Sequence, residues 1–137
     1  MWWTYALLSA FFASLTAIFA KVGVANVNSN VATAIRTGVI LILTWGIVLF
    51  SGQWKTLGSI NRTSLLFLII SGLATGLSWL FYFKALQLGK VSQVAPIDKL
   101  SVALTIVLAM VFLGESITIK SAVGALLIVA GTVTLIL

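Results

Sequence analysis

Three ionisable residues, Arg36, Asp98 and Lys99, lie within otherwise apolar stretches of the chain. A carboxylate beside an ammonium, with a guanidinium elsewhere, can hold an anionic or zwitterionic small molecule or relay a proton. The chain offers little else to chemistry. It has no Cys and no His, and only two carboxylates, Asp98 and Glu115. A disulfide framework, a Cys/His zinc site and a His-based acid–base catalyst are therefore excluded. General acid–base catalysis has almost no groups to work with. The expectation is a protein that is not an enzyme, with no cofactor and no metal.

The elements that carry these charges follow from composition. The chain has 137 residues, of which 61% are apolar and 7% charged. An ordinary soluble domain carries about 25% charged residues. With a mean hydropathy of +1.24, there is too little polar surface to cover a water-soluble globule. Disordered chains have low hydrophobicity, so disorder is excluded too. The eight Lys and Arg residues give a net charge of +6, but they are scattered singly. Isolated cations at the ends of apolar helices anchor and orient those helices in a bilayer. The expected partner is the lipid bilayer, and no nucleic acid is expected.

A membrane-spanning helix needs about 20 mostly apolar residues. Five segments qualify, at about residues 2–20, 31–50, 64–87, 92–113 and 117–137. A transmembrane β-barrel would alternate over segments of about ten residues, whereas these runs are continuous. The N-terminus lacks the basic region of a signal peptide, and more hydrophobic spans follow it. Asn30 and Ser92 are candidate helix N-caps, and Gly89 and Gly114 follow helix ends. The expected fold class is all-α: a single domain over residues 1–137, an integral membrane bundle of five helices. Its expected location is the inner cell membrane, as a multi-pass protein.

In lipid, helices associate largely through close packing of small residues. The third segment carries Gly72-x-x-x-Gly76, and the fifth carries Gly124 and Gly131 on one face. Such glycines pack helices within a subunit or between subunits. The third segment also has a polar stripe, Ser71, Thr75, Ser78 and Tyr82, whose spacing places them on one helical face. These hydroxyls can bond back to their own helix, join neighbours, or line a moderately polar cavity.

A charge near the middle of the membrane costs about 2.5–3.5 kcal/mol on insertion scales, so the three buried charges need partners. The second and fourth segments enter from the same side. Arg36 and Asp98 each lie some way past a helix start, roughly 9 Å deep at 1.5 Å per residue. That permits an Arg36–Asp98 ion pair. Adjacent residues are about 100° apart around a helix, so in a continuous helix Asp98 and Lys99 face apart. Lys99 then needs another partner, a snorkelling route, water or a substrate anion. Pro96 is the only proline. In a first helical turn it is harmless; deeper, it frees a carbonyl and marks a hinge.

With five spans the termini lie on opposite faces. Lys55, Arg62 and Lys120 fall on one face, and Lys21, Lys84 and Lys90 on the other, which also has the more deeply placed Arg36 and Lys99. A cation bias this weak allows insertion in either direction. It also suggests an antiparallel homodimer, which reproduces the symmetry of transporters built from inverted repeats.

The second half of the chain resembles the EamA domain of the drug/metabolite transporter superfamily. The likeness rests on Phe83-Lys84-Ala85-Leu86, on Ala95-Pro96, on Leu113-Gly114-Glu115, and on the Gly124 and Gly131 pattern. Arg36-Thr37 early in the second segment fits more loosely. Asp98-Lys99 stands where many two-repeat members carry apolar residues. The related small multidrug resistance exporters use a carboxylate in their first helix, which this chain lacks. Larger members carry two inverted repeats around a central cavity, so a single repeat is expected to pair with a second copy. The resemblance implies a secondary transporter of small metabolites or drugs, working by alternating access. The residues themselves point to Asp98 and Lys99 as substrate contacts, with Ser78 and Tyr82 from the polar stripe of the third segment and Arg36 holding Asp98 in place. The positive excess favours anionic or zwitterionic substrates. The alternative is a lipid-carrier flippase or an accessory membrane subunit.

Overall fold

A computed structural model of the chain describes residues 1–137. It contains helices and no strands: α1 (Trp2–Gly23), α2 (Ser29–Phe50), α3 (Arg62–Leu88), α4 (Val91–Asp98), α5 (Leu100–Leu113) and α6 (Ile119–Ile136). A 3₁₀ turn, Gln53–Ser59, lies in the loop between α2 and α3. Five spans are long and apolar enough to cross a membrane, with α4 and α5 together forming the fourth. The all-α membrane architecture is thus the one the hydropathy runs predict.

The helix ends follow local chemistry. Asn28, rather than Asn30, caps α2: its side-chain oxygen accepts from the Asn30 N–H at 2.9 Å. Ser92 lies inside α4, which starts after an extended Lys90 with no side-chain cap. Gly114 ends α5 at φ 67°, a left-handed conformation that favours glycine. The next N–H, of Glu115, reaches back to the Ala109 carbonyl at 3.3 Å. Thr118 caps α6 by accepting from the Ser121 N–H at 3.1 Å.

The chain forms two compact units. One comprises Phe19–Gln87. Its best-buried residues, Val24, Ser29, Thr33, Phe83 and Leu86, cluster around the α1–α2 connection and the C-terminal end of α3. Polar bonds fasten this end. Lys21 Nζ donates to the Leu86 carbonyl at 2.5 Å, placing a cation on the unpaired carbonyls of a helix C-terminus. The Gln87 amide donates to the Val24 and Val27 carbonyls at 3.2 and 2.9 Å. The connecting loop would otherwise leave these carbonyls without partners.

The other unit comprises Met1–Ile18 and Leu88–Leu137. In it α6 packs against both α4 and α5. Ala17, Val94 and Thr132 are its buried residues.

The span interiors contribute little burial within the chain. No span has more than 6% of its most apolar window buried. A Cβ built on Gly72, Gly76, Gly124 or Gly131 would meet nothing within 4 Å. The close approach these glycines permit is therefore not used inside a single chain. Thr33, Thr37, Thr44 and Thr75 each donate to the carbonyl four residues back, at 2.8 to 2.9 Å. Their hydroxyls are satisfied within their own helices, as mid-helix threonines often are.

Candidate functional site

Two charged centres stand out, one in each unit. The first is the break between α4 and α5. Proline has no N–H, so Pro96 cannot donate to the carbonyl one turn earlier. Beyond it the helix tightens. The Lys99 N–H bonds the Pro96 carbonyl at 3.0 Å, and the Val102 N–H bonds the Lys99 carbonyl at 3.0 Å. These are three-residue steps of 3₁₀ type, and α4 ends at Asp98. The continuous fourth helix expected from the sequence is thus two pieces, and Pro96 lies inside the first of them. The buried Thr132 of α6 donates its hydroxyl to the Pro96 carbonyl at 3.2 Å, giving it a second donor.

Lys99 Nζ lies 3.3 Å from Asp98 Oδ2. Lys99 keeps helical dihedrals, φ −72° and ψ −10°, and its long flexible side chain reaches back to its neighbour. The pair is half open, with Lys99 57% and Asp98 37% exposed. Each residue keeps free capacity: one carboxylate oxygen and two ammonium hydrogens remain for another molecule. Asp98 lies seven positions past the start of α4, about 10 Å along the helix.

The second centre belongs to Phe19–Gln87. Arg36 lies seven positions past the start of α2, again about 10 Å along. Its guanidinium carbon is 4.5 Å from the Trp79 ring centroid and 5.1 Å from that of Phe83. These rings are four residues apart on α3, on one face. Phe83 is almost fully buried at 2% exposure. Tyr82, half-buried, sets its ring edge-to-face with Phe83 at 6.2 Å. Ser78 is exposed, one turn before Tyr82.

The sequence reading joined Arg36 to Asp98. Within one unit Asp98 pairs with Lys99, and within the other Arg36 rests on the two aromatic rings with Tyr82 in electrostatic range. Trp79 and Phe83 were not singled out as companions of Arg36. Their four-residue spacing, which puts two rings on one face of the helix that follows α2, was the available signal. A further groove of about 360 Å³ runs between α5 and α6, with Thr105, Glu115, Ser121 and Gly124 in its wall. The sequence reading assigned Glu115 no site role.

Residues 1–137 match the EamA-like transporter family. An uncharacterized transporter in the cobO 3′ region of Sinorhizobium sp is 51% identical over 134 residues, covering 98% of this chain and 95% of the relative. An uncharacterized protein of Methanocaldococcus jannaschii is 32% identical over 98 residues, covering 72% of this chain and 68% of the relative. No solved structure matches the chain.

Proposed function

Because the chain belongs to the EamA-like transporter family and is a multi-pass membrane transporter, we propose that it carries small metabolites or drugs by alternating access. In this reading the working unit is an antiparallel homodimer in the inner membrane. Asp98 and Lys99 contact the substrate, with Ser78 and Tyr82 contributing from α3. Pro96 is the hinge. The favoured substrates bear an anionic or zwitterionic group.

The observation that carries this reading is the interrupted fourth span. Many secondary transporters place their substrate sites at discontinuous membrane helices, where unwound backbone and side chains converge. Here the interruption coincides with an adjacent carboxylate and ammonium, both with hydrogen-bonding capacity to spare. Ionisable groups inside the membrane are costly and mark substrate or ion pathways. Two observations support pairing with a second copy. A Cβ added at the glycines of α3 and α6 would meet nothing within the chain, and the expected cation bias between the two membrane faces is weak, three against three, or three against five with Arg36 and Lys99.

The test is flux in proteoliposomes, comparing wild type with Asp98→Asn. Loss of transport by the correctly inserted variant is expected, and unchanged transport removes Asp98 from the site. Tag accessibility tests the arrangement of subunits. C-termini on both faces of the vesicle are expected; all of them on one face rules out the antiparallel dimer.

A further inference from the structure

We propose that Arg36, backed by Trp79 and Phe83, binds an oxyanion, a carboxylate or a phosphate. This goes beyond the Asp98–Lys99 site and does not depend on it.

A guanidinium carries five N–H donors in one plane and cannot be deprotonated in a protein. In a membrane span those donors need acceptors. Within Phe19–Gln87 there is no carboxylate to pair with Arg36. Of the two carboxylates elsewhere in the chain, Asp98 is held by Lys99 and Glu115 lines the groove between α5 and α6. What Arg36 has beside it is aromatic surface, with Trp79 at 4.5 Å, Phe83 at 5.1 Å and Tyr82 within electrostatic range.

This arrangement has a chemical consequence. Cation–π attraction acts through the ring faces and consumes none of the N–H bonds. It holds the cation in place without a counter-charge and leaves its donors for another molecule. The near-complete burial of Phe83 fixes one of those rings, so the guanidinium is held ready rather than swinging freely. Paired oxygens on a carboxylate or phosphate match the guanidinium fork bidentately. At about 10 Å from the helix start, both a soluble anion in a cavity and the phosphate of a lipid are within reach. The chemistry is the same for either source.

The experiment uses the full chain, delipidated in dodecyl maltoside. One arm titrates phenyl phosphate; the other adds dioleoylphosphatidylglycerol and counts retained lipid by native mass spectrometry. Wild type is expected to bind at least one probe, and the arm that responds identifies the source. Arg36→Gln is expected to weaken that binding about tenfold or more. Arg36→Lys keeps the charge without the planar fork, and several-fold weaker binding is expected. If Arg36→Gln fails to fold, Arg36→Lys carries the test alone. Wild type binding neither probe overturns the proposal, as does either folded variant binding like wild type. Flux through Asp98→Asn is read separately. Full flux there with Arg36-dependent binding intact strikes only the Asp98–Lys99 reading. Lost flux there with Arg36-independent binding strikes only this one.

Discussion

The Thr132 hydroxyl donates to the Pro96 carbonyl across 3.2 Å, tying α6 to the fourth span three residues before its break at Lys99. The bond is the one long-range polar contact at a backbone that proline has already deprived of a donor. Thr132→Val, which keeps shape and removes the bond, is expected to destabilise the protein by about 0.5–1.5 kcal/mol. Thr132→Ser is expected to recover much of this. Unfolding in mixed micelles measures both.

Pro96→Ala restores an N–H to α4 and favours a continuous helix. A proline inside a helix costs about 3 kcal/mol, so part of that is expected to return as a higher unfolding midpoint. If the break works as a hinge, proteoliposome flux falls in the same variant. Raised stability with unchanged flux assigns the break a purely structural role.

Gln87 serves two carbonyls of the α1–α2 connection at once. Gln87→Leu removes both bonds and is expected to cost about 1–3 kcal/mol. The damage should be local, visible as faster proteolysis at residues 24–28 before any change elsewhere.

Gly76→Leu tests the vacant face of α3. The added side chain finds open space within the chain, and leucine is the better helix former by about 0.8 kcal/mol. The expected outcome is a monomer as stable as wild type or more so, with the dimer lost. Light scattering after gel filtration distinguishes this from a variant that still dimerises.

The five spans were legible because a bilayer imposes a length and a hydropathy that few other structures satisfy together. The turn at Gly114 was legible because a left-handed helix end favours glycine. The break at Lys99 was not. Pro96 lies near a helix start, where proline is harmless, and only the tightened steps beyond it, with Thr132 brought from 36 residues away, reveal an interruption. The Asp98–Lys99 contact was misjudged because the 100° argument concerns the directions in which side chains leave the helix and neglects the reach of a lysine. Trp79 and Phe83 read as ordinary apolar residues of α3 until the fold set them under Arg36. Placing Asn30 rather than Asn28 at the cap was a two-residue error at a boundary where several side chains can serve.

Because at most 6% of any span's apolar window is buried by the chain itself, most of its greasy surface is matched by whatever surrounds it. In a soluble protein the interior is supplied by the polypeptide; here much of it is borrowed from acyl chains or from a neighbouring copy. Exchanging the annulus, by delipidation or by a change of detergent, is thus equivalent to mutating many contacts at once. Melting points for this molecule are properties of protein and amphiphile together, and belong beside the composition of the mixture in which they were taken.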